Sequence, residues 1–94
     1  MMVAFSRRAL RELSQILTYL ESENPQAAER LVGRIDELGV TLDQFPNVGR
    51  PTDEAGVRYI PLVDLPYGLF FRSKPAGKAE IVGVRHARQR PIAP

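Results

Sequence analysis

Pro25 and Pro46 bracket a segment in which Ala28, Leu31, Ile35, Leu38, Leu42 and Phe45 recur at steps of three, four, three, four and three residues. That period places them on one face of a helix. Pro25 suits the first helical position, where its missing N–H has no intrahelical partner to lose, and Asn24 before it is a good N-cap. Pro46 ends the helix, because the residue before a proline is driven out of the α region. The stretch just upstream repeats the pattern. Leu10, Leu13, Leu17 and Leu20, with Ile16 alongside, form a second apolar face behind Ser6, whose hydroxyl can cap the first turn. Two helices separated by so short a connection have to lie antiparallel as a hairpin.

Beyond Pro46 the period changes. Residues 46–56, PNVGRPTDEAG, are dense in proline, glycine and turn formers and read as a loop. Val57 to Val63, Tyr67 to Ser73 and Ala79 to His86 read as strands. Asp64 to Pro66 and Lys74 to Lys78 are the turns between them. Met2 to Phe5 can form one more short strand ahead of the first helix. Connections this short make consecutive strands antiparallel. Pro61 cannot donate to a ladder and points to an edge or a bulge. The predicted fold class is therefore α+β, in the order β-α-α-β-β-β, with the hairpin packed on one face of a small antiparallel sheet and residues 1–94 forming a single domain.

Side-chain alternation predicts Tyr67, Leu69 and Phe71 on one face of the middle strand, with Phe70 and Arg72 on the other. In the last strand it puts Ile81, Gly83 and Arg85 on one side and Val82, Val84 and His86 on the other. Both faces then carry apolar residues, and the one turned away from the helices is expected to need a partner.

Composition removes several function classes. There is no cysteine and only one histidine, which excludes disulfides, thiolate metal sites and paired-histidine motifs. No metal or cofactor is expected. No apolar run approaches membrane-spanning length and the N-terminus lacks a signal-peptide core, so a cytoplasmic protein is expected. The net charge of +2 is unevenly spread. Residues 1–57 carry six basic and nine acidic side chains, and residues 58–94 carry seven basic and two acidic ones. A segregated basic half can draw nucleic acid or an acidic partner.

The lone histidine lies in GVRHARQRP, residues 83–91, among Arg85, Arg88 and Arg90. Phosphate-binding glycine loops and nucleophile elbows are absent. One enzymatic chemistry is open. Attack of a 2′-hydroxyl on its neighbouring phosphate would use His86 as acid or base and Arg58, Arg72, Arg85 and Arg88 to stabilise the charge, provided that these side chains converge. Otherwise His86 is structural or meets a partner. No helix carries a basic face suited to reading a DNA groove.

Four motifs in order, SRRALRELSQILTYLESENPQAAERLVGRI, LDQFPNVGRP, YGLFFRS and AEIVGVRHARQRP, resemble the ParE/RelE superfamily of type II toxins. The ParE, plasmid-stabilisation branch is the closest in pattern. The resemblance implies the same fold. It also implies a cognate ParD-like antitoxin whose amphipathic C-terminal segment lies along the toxin, while its N-terminal half dimerises and represses the operon, so that the toxin reaches operator DNA only through it. The expected antitoxin contact is Leu10, Leu13 and Leu17 with Leu31 and Ile35 of the neighbouring helix.

The two branches differ in target. ParE-like toxins are understood to poison DNA gyrase. RelE-like toxins cleave mRNA on the ribosome with basic residues and a tyrosine, or a histidine and glutamate. Arg58, Arg72, Arg85 and His86 stand at places resembling the ribonuclease positions. However, no tyrosine follows Tyr67, and the loop at 46–56 has Arg50 but no lysine. The sequence reading is thus a non-enzymatic gyrase inhibitor that meets its target through Arg85, His86, Arg88 and Arg90. The alternatives are an mRNA endoribonuclease and a member that keeps its antitoxin but has lost toxicity.

Overall fold

In a computed structural model the residues described are 4–62, 64–74 and 78–87. The elements are β1 (Ala4–Phe5), α1 (Arg7–Glu23), α2 (Pro25–Gln44), β2 (Arg50–Pro51), β3 (Val57–Pro61), β4 (Tyr67–Ser73) and β5 (Ala79–His86). Arg88 and Arg90, Met2, Val63 and the centre of the 74–78 turn lie outside the described residues.

The hairpin forms as its caps direct. The Ser6 hydroxyl accepts the Ala9 amide at 3.1 Å and starts α1. Asn24 is the whole connection. Its own N–H closes α1 on Leu20 O at 2.6 Å, and its side chain accepts the Ala27 amide to open α2. The helix before Pro46 stops with the Phe45 amide on Thr41 O.

The sheet runs in the order β1-β5-β4-β3-β2. The three long strands pair antiparallel as predicted. Two short edge strands extend them. β2 arises inside the predicted loop and pairs antiparallel with β3, and β1 lies parallel to β5, so the sheet is mixed. The parallel pair follows from the helices. They carry the chain across the sheet before it returns, so its first residues fall beside its last strand.

Between α1–α2 and the sheet lies one core, in which Ala9, Leu31, Leu42, Leu69, Phe71 and Ile81 are the most completely buried. Burying a side chain of the Leu or Phe class contributes about 1.5–3 kcal/mol. Two members of the predicted helical stripes do not join it. Leu10 is 52% exposed and Phe45 61%.

Strict alternation fails in β5. Phe70 pairs with Gly83 and Phe71 with Ile81, so Val82 is an extra residue, a β-bulge. The bulge resets the phase, and Ile81 and Val84, expected on opposite faces, both enter the core. The outer face also departs from expectation. Phe70 is only 5% exposed there, because the Tyr59 ring lies 4.8 Å from it and crosses over Gly68, while the Arg50 guanidinium sits 5.8 Å above Tyr59. The sheet covers its own outer face, and no partner is needed to hide it.

Candidate functional site

β5 ends with Arg85 and His86, and α1 runs alongside. Cross-strand partners share a face, so the pairing of Tyr67 with His86 puts the histidine on the helix side. The pairing of Gly68 with Arg85 puts the arginine on the other. The His86 ring packs edge-on against Tyr67, centroids 5.2 Å apart. Tyr67 is buried, and burial first, with Tyr19 nearby second, raises its phenol above the ordinary value of 10.0.

Two hollows meet here along α1. Glu12, Gln15, Ile16, Val84 and Arg85 line one, and Gln15, Ile16, Tyr19, Tyr67 and His86 line the other. Sharing Gln15 and Ile16, they form one trough between helix and strand. Tyr19 stands 60% exposed at its rim. Sequence reasoning named Arg85 and His86 but missed the helix side. The signal was present: Glu12, Gln15, Ile16 and Tyr19 fall at i, i+3, i+4 and i+7, a second stripe beside the leucines.

Glu12 ties the two walls together. Its Oε1 accepts the Val84 amide at 2.9 Å, and its Oε2 lies 3.2 Å from Arg8 Nε and 3.7 Å from Arg85 Nε.

The arginines expected to converge on a phosphate do not. Arg58 pairs with Phe71 and lies on the helix side, where Nε donates to Val48 O at 3.1 Å and Nη2 to Gly49 O at 2.9 Å. Its guanidinium pins the loop that precedes β2. Arg72, on the outer face, is 3.6 Å from Glu80, which also takes Lys74 at 3.7 Å. Arg58 and Arg72 both line a shallow groove with Glu54 and Ser73 at the loop end of the sheet. Arg85 and His86 are at the other end. From the pairing positions and a strand rise of about 3.3 Å, Arg58 and His86 are roughly 16 Å apart, and Arg72 and Arg85 roughly 14 Å. Opposite faces and this separation keep the four from one scissile phosphate. Among the described residues no group of three or more His, Cys, Asp or Glu could hold a metal ion.

On the far side of the hairpin a third groove is lined by Leu17, Glu21, Pro25, Ala28, Glu29 and Val32. Leu10 and Val32 are exposed on this side of the molecule, and Leu13 and Leu17 are half-buried against the core. Leu31 and Ile35 are at 0% and 3% exposure. These two belong to the core, under the hairpin and out of reach from its surface, because their steps along α2 point them at the sheet.

With this geometry in hand, comparison with known proteins is decisive. The family described as "ParE toxin of type II toxin-antitoxin system, parDE" matches residues 3–91. The chain belongs to the ParE toxin family. It is 37% identical over 87 residues to Y4kP of Sinorhizobium fredii, a protein named provisionally as a toxin, covering 93% of this chain and 88% of that one. A solved structure titled as the chromosomal ParDE toxin–antitoxin system from P. aeruginosa matches with a TM-score of 0.71 and 29% identity, over 92% of this chain and 95% of that one. The chain is thus a toxin of the type II class, with the two-helix, mixed-sheet fold of that structure. No helix among its described residues is long and apolar enough to cross a membrane.

Proposed function

We propose that this ParE-family toxin inhibits DNA gyrase in the cytoplasm as a binding protein, without bond-breaking chemistry of its own, until a cognate ParD-like antitoxin neutralises it. The target contact is the trough of Gln15, Ile16 and Tyr19 with Arg85 and His86, and from the sequence alone Arg88 and Arg90 are assigned to the same contact. The observation that carries the non-enzymatic reading is the dispersal of the cations. Arg58 is spent on two backbone carbonyls, Arg72 faces Glu80 on the opposite side of the sheet, and His86 is packed on Tyr67 at the far end. Charge stabilisation in phosphoryl chemistry needs donors aimed at one developing oxyanion. A trough with an exposed tyrosine and an arginine is instead the composition of a protein-binding hot spot.

On this reading the antitoxin lies on the hairpin, over Leu10, Leu13 and Leu17 with Val32. The groove there is walled by Glu21 and Glu29 and lined by no cation. The covering segment therefore carries lysine or arginine beside its apolar anchors, since unmatched carboxylates at a buried interface are costly.

The test is a cleavage assay with purified toxin, gyrase, ATP and supercoiled plasmid. Accumulation of linear DNA, suppressed by antitoxin, is expected. With folded toxin and no linear product, the gyrase target is refuted. Cleavage of mRNA on translating ribosomes, abolished by His86→Gln, would then establish the endoribonuclease reading. Inactivity in both assays would mark a member that is no longer toxic.

A further inference from the structure

β5 is the strand that delivers Arg85 and His86, yet its last residues have little support on the side facing away from β4. β1 pairs only with Glu80 and Ile81. Past that point no strand among the described residues takes the outward backbone groups. Side chains and one amide from the start of α1 take over. The Ser6 amide donates to Ile81 O at 2.9 Å, the Ser6 hydroxyl reaches Val82 O at 3.5 Å, and the Glu12 carboxylate takes the Val84 amide at 2.9 Å. The Glu12 bond falls just beyond the Val82 bulge, where the ladder is locally disrupted and the strand free to re-aim.

We propose that Glu12 is a positioning residue for the toxic surface: its carboxylate substitutes for a missing strand neighbour at Val84 and so fixes the direction in which β5 presents Arg85 and His86. The inference rests on the reading of that patch as the target contact. Of the three bonds Glu12 makes, the one to the backbone matters. A hydrogen bond from a part-buried amide to a charged acceptor is strong, and its loss leaves the donor unsatisfied. The pairs with Arg8 and Arg85 are long or largely exposed, and such pairs contribute little. The geometry also explains why the position takes a long acidic side chain. Ser6 stands next to β5 and needs only a hydroxyl, whereas Glu12 is nearly two turns further along the helix and must reach back to the strand.

The distinction between backbone bond and ion pair sets the experiment. Glu12→Gln keeps an acceptor oxygen and loses the charge; Glu12→Ala loses both. Hydrogen exchange is read by NMR at Val84 to Ala87, and growth arrest on induced expression is read in parallel, with Arg85→Glu as comparator and circular dichroism to confirm folding. In Glu12→Ala, exchange at Val84 is expected to rise at least about 10-fold, the order that goes with losing one such bond, and toxic potency to fall by a similar factor. In Glu12→Gln, which keeps an acceptor for the Val84 amide but an uncharged and so weaker one, both should fall between the parent and the alanine variant. Unchanged exchange in Glu12→Ala, or a Glu12→Gln as damaged as the alanine variant, overturns the positioning role itself. Faster exchange with full potency, while Arg85→Glu is inactive, shows that β5 need not be aimed and also overturns it. If Arg85→Glu retains full potency, the patch is not the target contact, and the inference fails with the reading it rests on.

Discussion

Replacing Gly68 by alanine tests whether the outer face of the sheet is closed by its own side chains. In most strands this change is favourable, because glycine in a strand interior weakens it by roughly 0.5–1 kcal/mol relative to alanine. Here the sign is expected to reverse. A methyl group at Gly68 would coincide with the hydroxyl, Cζ and Cε1 of Tyr59. Three atoms of a rigid ring are involved, so no flexible tip can bend aside and the whole ring has to leave. Overpacking of this kind costs about 1–3 kcal/mol. Swinging Tyr59 away also breaks its contact with Phe70 at 4.8 Å, worth about 0.5–1.5 kcal/mol. After the favourable backbone effect is subtracted, a net loss of roughly 2–3 kcal/mol remains. With a urea m value near 1 kcal/mol/M for a domain of this size, the midpoint should fall by about 2–3 M. The double variant Gly68→Ala/Tyr59→Ala removes the collision, so it should be less destabilised than the sum of the single changes. A single Gly68→Ala variant with an unchanged or higher midpoint would refute the packing argument, and with it the claim that this face needs no partner.

The other predictions concern charges. Arg34 holds Asp64 through two 2.9 Å bonds and also bonds Glu37, clamping the β3–β4 turn to α2. The hydrogen bonding to Arg34 keeps the Asp64 carboxyl below its ordinary value of 3.8, so its contribution is complete above that value and is lost as pH falls through the lower folded-state one. The stability difference between the parent and Asp64→Asn should therefore be flat above about pH 5 and shrink toward zero in acid, as unfolding curves at several pH values will show. A difference that grows in acid would contradict the clamp. Arg58→Ala should lower stability by about 2 kcal/mol through two lost bonds to carbonyls, read in urea unfolding; an equally stable but non-toxic variant would favour a catalytic arginine instead. Glu21→Lys with Glu29→Lys should weaken antitoxin binding at least about 10-fold by calorimetry, with folding intact, and unaltered affinity would move the antitoxin off this groove.

Why the sequence reveals one half of this molecule more clearly than the other is a matter of range. The hairpin was legible because its determinants are local. Ser6, Asn24 and the leucine spacing act within a turn or two, and Asn24 alone closes one helix and opens the next. The three long strands were legible from composition and turns. β2 was hidden inside a loop rich in proline and glycine because a two-residue strand has no period to detect. The parallel direction of β1 was invisible for a different reason. It is decided by where α2 returns the chain, not by anything in Ala4 or Phe5. The stripe in α1 shows the limit within a helix: Leu10 fits the spacing as well as Leu13 does, yet only Leu13 packs on the core.

The basic C-terminal half shows the same limit at the level of chemistry. Arg58, Arg72, Arg85 and His86 follow one another in the chain as a phosphate-binding set would, and with no knowledge of register they can be imagined on one face. The fold separates them by parity. Arg58 and Phe71 pair across the ladder, so Arg58 takes the helix side and is consumed by the loop carbonyls; Arg72, one residue on from Phe71, must take the other side. The Val82 bulge then fixes which of Arg85 and His86 faces the helix, and His86 does, against Tyr67. Had the bulge been absent, Ile81 and Val84 would have pointed apart, and the end of β5 would have offered α1 an arginine in place of the histidine. One extra residue in one strand thus decides that His86 packs beside Tyr67 on the helix side while Arg85 starts from the opposite face, so the cations are shared out over two faces, where a nuclease needs them gathered at one.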